Sequence, residues 1–205
     1  MWPDSLGIDV SRESLEKLEI YHALLLKWQK AINLVSNKTI DEAWIRHFAD
    51  TVQIESNVPR ETKILADLGS GAGFPGMILA ILRPEIDVHL IESDERKCEF
   101  LRTVSRETDV DIAVHISRIE DAYNLVLPDM ITARALADLT TLLKYAWPWV
   151  EQNPALECVF LKGVQAEEEL IVSRESFSFE HEKITSRTDP QGCILKLRDI
   201  SKYSA

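Results

Sequence analysis

The chain is poor in the residues that build specialised scaffolds. Its three cysteines, Cys98, Cys158 and Cys193, stand far apart. An odd, scattered set supplies neither a disulfide framework nor a zinc spacing, and it suits free thiols in a reducing compartment. Seven glycines and eight prolines in 205 residues, with no low-complexity tract, exclude a disordered or linker-like chain. No apolar run is long enough to cross a bilayer. Met1-Trp2-Pro3-Asp4 lacks the basic start and apolar stretch of a secretory leader. A cytoplasmic protein without membrane attachment is expected. A basic excess is missing too: 23 Lys and Arg face 34 Asp and Glu, a net charge of −11. That excludes a protein that coats nucleic acid nonspecifically, while leaving room for a local basic patch. Glu167-Glu168-Glu169 reads as a solvated helix face, and no metal site is expected.

What is present is 45% hydrophobic content, enough for one substantial core. Residues 1–60 read as a helical extension. Leu18, Tyr21, Leu25, Trp28 and Ile32 recur at helical spacing, with Ser11 as N-cap. A second helix is predicted over Asp41–Ile54, and Pro59 ends the region. Residues 61–205 change period: short apolar runs at 64–68, 88–91, 112–116, 130–133 and 158–161 alternate with helical segments, as buried parallel strands do. Helices are predicted from Pro75, from a cap at Ser93 or Asp94, through Leu139 to a stop near Pro148, and from Gln165. The alternating segments 177–184 and 193–200, joined by Asp189-Pro190-Gln191-Gly192, predict an antiparallel hairpin. The fold class is therefore α/β: a Rossmann-like, mostly parallel sheet with a C-terminal hairpin and an N-terminal helical extension, one compact unit.

Asp67-Leu68-Gly69-Ser70-Gly71-Ala72-Gly73-Phe74-Pro75-Gly76 carries the strongest chemical signal. It runs from strand into helix, where backbone can approach a ligand and the helix start favours a negative group. Gly71-x-Gly73-x-x-Gly76, with Glu92 downstream, matches a dinucleotide fingerprint. Read from Asp67, the stretch instead resembles the first motif of Rossmann-like methyltransferases. An acid inside the strand suits a sulfonium cation better than a pyrophosphate. Asp67, Gly69, Gly71, Gly73 and Glu92 are thus candidate contacts to S-adenosylmethionine.

Seven blocks in order make the resemblance specific. They are Lys27–Leu34 (KWQKAINL), Arg46–Thr51 (RHFADT), the Asp67–Gly76 loop, Arg96-Lys97-x-x-Phe100-Leu101, Ser117–Glu120 (SRIE), Thr132–Ala135 (TARA) and Leu161-Lys162-Gly163. Over nearly its whole length the chain resembles the RsmG (GidB) family of 16S ribosomal RNA guanine-N7 methyltransferases. The resemblance implies S-adenosylmethionine as methyl donor, S-adenosylhomocysteine as product, and no metal. It implies cofactor contacts at Gly69, Phe74, Ile119, Glu120 and Arg134, with Ile119-Glu120 bordering the adenine. Glu92 departs from the Asp of many relatives, which keeps the carboxylate on a longer arm. The implied partner is 16S ribosomal RNA; a small, weakly basic domain is expected to need the small ribosomal subunit or an assembly intermediate to present its target, and a monomer is expected.

Residue types fit that chemistry. Guanine N7 carries an exposed lone pair and no proton, so no general base is required. The Asn/Asp-Pro-Pro-aromatic motif of amino-group methyltransferases is absent after the fourth strand, and no cysteine follows a proline as cytosine-C5 enzymes need. Arg134, at the end of that strand, is a candidate to orient the base through guanine O6. Arg46, His47 and Lys162 are candidates for substrate binding, and Lys27, Lys30 and Lys38 add local positive charge. Two other classes stay open: methylation of a small molecule or protein, which suits the acidity, and a ribosome-assembly factor without turnover. A nicotinamide oxidoreductase is a weaker rival.

Overall fold

The computed structural model describes residues 10–203. Met1–Asp4, read as lacking the features of a secretory leader, lies outside them. A single seven-stranded sheet runs in the order β3-β2-β1-β4-β5-β7-β6. β1 (Ile64–Leu68), β2 (Asp87–Glu92), β3 (Ala113–Ile116), β4 (Met130–Arg134) and β5 (Glu157–Lys162) are parallel. β7 (Cys193–Lys202) pairs antiparallel with both β5 and β6 (Phe177–Thr185), giving the expected hairpin. The strand order reverses between β1 and β4, the point where sheets of this kind open a crevice at their carboxyl ends.

Side-chain alternation splits the core into two layers. On one face Leu65, Val88 and Leu90 pack with α1 (Arg12–Gln29), α3 (Gly76–Leu82) and α4 (Glu95–Thr108). On the other, Ala66, Leu68, Ile131 and Phe160 pack with α5 (Leu139–Gln152) and α6 (Ala166–Ser173). Leu18, Tyr21 and Leu25 of α1 are fully buried in the first layer, so the N-terminal helix belongs to the sheet's own core. Ser11 caps α1 by accepting from Ser14 N–H at 3.0 Å, and Asp94, of the two candidates, caps α4. Trp28 and Trp44 are half-buried against this core.

Two helices differ from expectation. α5 does not stop near Pro148; it continues to Gln152. Trp149 beyond the proline is fully buried, and its indole donates to Val126 O at 2.8 Å. Burying an indole of that size offsets the missing proline donor. The region 41–54 is not one α-helix. A π-helical segment spans Trp44–Ala49, followed by the short α2 (Asp50–Val52) and a 3₁₀ turn at Glu55–Asn57. In an α-helix Asp50 N–H would bond Arg46 O; here it reaches Ile45 O. The carbonyl of Arg46 is left for another donor, which Arg134 provides.

Candidate functional site

A cleft of about 1300 Å³ opens at the carboxyl ends of β1, β2, β4 and β5. The glycine loop forms its floor. Ser70 N–H donates to Ile91 O at 3.1 Å and Gly73 N–H to Ser70 O at 2.6 Å, folding the loop back on itself. Gly73 has φ +96°, and a Cβ there would lie 2.7 Å from the Tyr21 hydroxyl and 2.9 Å from Met77 Cβ. Only glycine meets both demands. Tyr21 of α1 donates its hydroxyl proton to Ala72 O and stacks on Phe74, with ring centroids 5.5 Å apart.

Asp67 and Glu92 act on this loop from two sides. The Asp67 carboxylate is fully buried and does not line the cleft. It accepts from Gly76 N–H at 3.2 Å and from the Thr132 hydroxyl at 2.9 Å, joining the loop to β4. Burial raises its pKa from 3.8 to about 7, opposed by those two hydrogen bonds. Glu92 does line the cleft; it accepts from Gly71 N–H at 2.9 Å and Asp94 N–H at 2.8 Å. Gly69, Gly71, Phe74, Ile119 and Glu120 line the cleft with it, whereas Gly73, which faces Tyr21 and Met77, does not. Ile119 is buried and Glu120 exposed, on a 3₁₀ turn just after β3.

Arg134 stands across the reversal point from the glycine loop. It lines the cleft with its side chain only 16% exposed, so it is not a surface ion pair. The guanidinium donates to His47 Nδ1 at 3.0 Å and Arg46 O at 3.2 Å, faces Asp50 Oδ2 at 3.7 Å, and lies 4.8 Å from the Phe74 ring centre. Burial lowers its pKa below the ordinary arginine value, opposed first by Asp50; an arginine remains charged throughout. The next residue, Ala135, has φ +52°, a conformation a non-glycine residue adopts at a local cost.

His47 is buried, and its other ring nitrogen lies 2.9 Å from Thr39 Oγ1. Because Arg134 is donor only, His47 Nδ1 is the acceptor and Nε2 carries the proton. Burial first, then Arg134 and Arg46, lower the His47 pKa to about 3. Arg46 does not line the cleft; its half-exposed side chain pairs with Glu42 at 3.4 Å and Asp189 at 3.7 Å. Lys162 does line it, but its ammonium turns toward Ala137 O at 2.8 Å and Glu169 at 2.5 Å. Thr39, Asp50, Gln53 and Ser186 were not singled out by sequence reasoning. Only Asp50 carried a signal, as part of the RHFADT block.

A family model described as rRNA small subunit methyltransferase G (GidB) matches residues 14–192. The chain belongs to that family. A relative from Rhodospirillum centenum named ribosomal RNA small subunit methyltransferase G is 50% identical over 193 residues, covering 94% of this chain and 87% of its own. One of the same name from Paramagnetospirillum magneticum is 47% identical, covering 96% and 94%. Among solved structures, the O-methyltransferase TomG from Streptomyces achromogenes in complex with S-adenosylmethionine superposes with a TM-score of 0.58 at 13% identity, covering 95% of this chain and 92% of its own. That likeness shows the Rossmann-like methyltransferase fold. Within a GidB-family chain, the glycine loop, Glu92 and Arg134 thus occupy one crevice at the expected reversal point.

Proposed function

We propose that this chain transfers a methyl group from S-adenosylmethionine to N7 of a guanine in 16S ribosomal RNA. It works in the cytoplasm as a monomer, on a target presented by the small ribosomal subunit or an assembly intermediate. Family membership supports the ribosomal RNA and the methyl donor. The observation that carries the N7 reading is the environment of Arg134.

The cleft fits the donor. Backbone at Gly69 and Gly71, the Glu92 carboxylate and the apolar faces of Phe74 and Ile119 offer both polar and apolar contacts. Its volume of about 1300 Å³ exceeds the roughly 300–1,000 Å³ that one small ligand fills, so a second occupant has room. When bound, S-adenosylmethionine supplies an electrophilic methyl group on a positively charged sulfur. The chain's own work is to bind, align and exclude water.

The groups around Arg134 have their lone pairs engaged: Asp50 faces the guanidinium with Oδ2 and accepts from the Thr188 hydroxyl with Oδ1. The His47 lone pair is held by Arg134, and its pKa of about 3 keeps the ring neutral. Asp67 lies under the loop, outside the cleft lining. An acceptor that already carries a lone pair suits such a site, and guanine N7 is one. Arg134 orients the base by donating to guanine O6, leaving N7 to face the methyl group.

The test is to incubate the protein with methyl-labelled S-adenosylmethionine and unmethylated small subunits, then map the labelled nucleotide. Label at N7 of one guanine is expected. No label, or label on an exocyclic amine, defeats the reading. Calorimetry with S-adenosylhomocysteine and with NAD is expected to show binding of the first alone.

A further inference from the structure

The cleft has an outer wall that none of the seven sequence blocks covers. Ser186, Asp189 and Gly192 of the β6–β7 turn line it. Nothing in the transfer chemistry above uses this turn, yet it is tied down with unusual care. Thr188 donates its hydroxyl to Asp50 Oδ1 at 2.6 Å, and Ser186 Oγ lies 3.2 Å from the same oxygen. The buried Gln53 donates to Ser186 Oγ at 3.0 Å and accepts from Arg187 N–H at 2.8 Å. The Arg46 guanidinium pairs with Asp189 at 3.7 Å.

The same two residues hold Arg134 from the other side. Asp50 presents Oδ2 to the Arg134 guanidinium at 3.7 Å, and Arg46 accepts from it through its main-chain carbonyl at 3.2 Å. The π-helical widening is what makes this double use possible: it frees Arg46 O from the intrahelical bond that Asp50 N–H would otherwise make. Arg46 and Asp50 therefore each hold the hairpin turn with one polar group and Arg134 with another.

We infer that Asp50 is a positioning residue for methyl transfer, which fixes the β6–β7 turn and Arg134 in one arrangement as the two walls of the compartment that receives the substrate nucleotide. The inference rests on the function proposed above and deepens it. The donor side of the cleft, built by the glycine loop, Glu92 and Ile119, is independent of the turn. Loosening the turn is therefore expected to damage substrate use and spare cofactor binding.

Three variants test this: Asp50→Asn, Thr188→Val and Thr188→Ser. Thr188→Val keeps the volume and removes the hydroxyl; Thr188→Ser keeps the hydroxyl and removes a methyl group. The readouts are kcat/KM for unmethylated small subunits, calorimetric Kd for S-adenosylhomocysteine, and melting temperature. Asp50→Asn and Thr188→Val are expected to lower kcat/KM by about tenfold or more, the loss of one charge-assisted hydrogen bond, with Kd in Thr188→Val, which leaves the Asp50 charge facing Arg134 in place, within about twofold of wild type. Thr188→Ser is expected to restore most of the rate. A Thr188→Ser loss as large as that of Thr188→Val, a parallel loss of S-adenosylhomocysteine affinity in Thr188→Val, or unchanged kcat/KM in Asp50→Asn overturns the inference. Wild-type protein that transfers no methyl group to the subunits brings down the parent reading as well. An active wild type with indifferent variants sinks this inference alone.

Discussion

Replacing Asp67 by asparagine tests the electrostatics under the glycine loop. The carboxyl titrates near its ordinary 3.8 in the unfolded chain and at about 7 in the fold. The unfolded state therefore releases its proton first as pH rises. Stability contributed by this group is intact below 3.8, falls between about 4 and 7, and is flat above. A rise from 3.8 to about 7 corresponds to a penalty of roughly 4 kcal/mol at alkaline pH. An asparagine carries no such penalty. Its oxygen can accept from Gly76 N–H, and its amide can donate to Thr132 Oγ1, the two partners of the carboxylate. Rearranging the buried Thr132 hydroxyl costs about 1 kcal/mol. The net gain at pH 8.5 is about 3 kcal/mol, which for a chain of this size raises the melting temperature by about 6–12 °C. Thermal melts of the ligand-free wild type and Asp67→Asn at pH 5 and pH 8.5 measure it. Taking the difference between the two proteins cancels the carboxyls they share. A gap that does not widen from pH 5 to pH 8.5, or an asparagine variant that melts lower at pH 8.5, refutes the reasoning.

Three more outcomes follow from the same geometry. His47 takes up its proton only near pH 3 in the fold and at 6.5 when unfolded, so stability drains away as pH falls from 6.5 toward 3. Urea unfolding at pH 5 and 7.5 is expected to show wild type losing about 2 kcal/mol relative to His47→Gln on acidification; the comparison cancels the opposite trend of Asp67, which both proteins share, and glutamine can accept from Arg134 and donate to Thr39. Gly73→Ala forces a methyl group against Tyr21 and Met77 at φ +96°; denaturant unfolding is expected to show a loss of more than about 2 kcal/mol. Tyr21→Phe keeps the stacking on Phe74 and removes the donor to Ala72 O. It is expected to cost about 1–3 kcal/mol in urea unfolding and to weaken S-adenosylhomocysteine binding in calorimetry, because Ala72 lines the cleft.

The primary structure by itself determined the period of each element. Short apolar runs bounded by turn residues set five parallel strands, and Asp189–Gly192 set the hairpin, because burial on both faces or on one leaves its pattern in the residues themselves. Asp67–Gly76 likewise declared a strand–loop–helix able to meet a ligand. Local pattern failed where distant packing won. Trp149 found the Val126 carbonyl, and the helix ran through Pro148. Arg134 claimed the Arg46 carbonyl, and an expected α-helix widened into a π-helix. The partition of site residues was also hidden: Asp67 and Gly73 do not line the cleft, and Lys162 turns its charge to Glu169. The meeting of Asp50 with Ser186 and Thr188 joins segments more than 130 positions apart. Only sheet order brings those segments together, because a hydrogen bond between side chains depends on where the fold carries them and leaves no period in the chain.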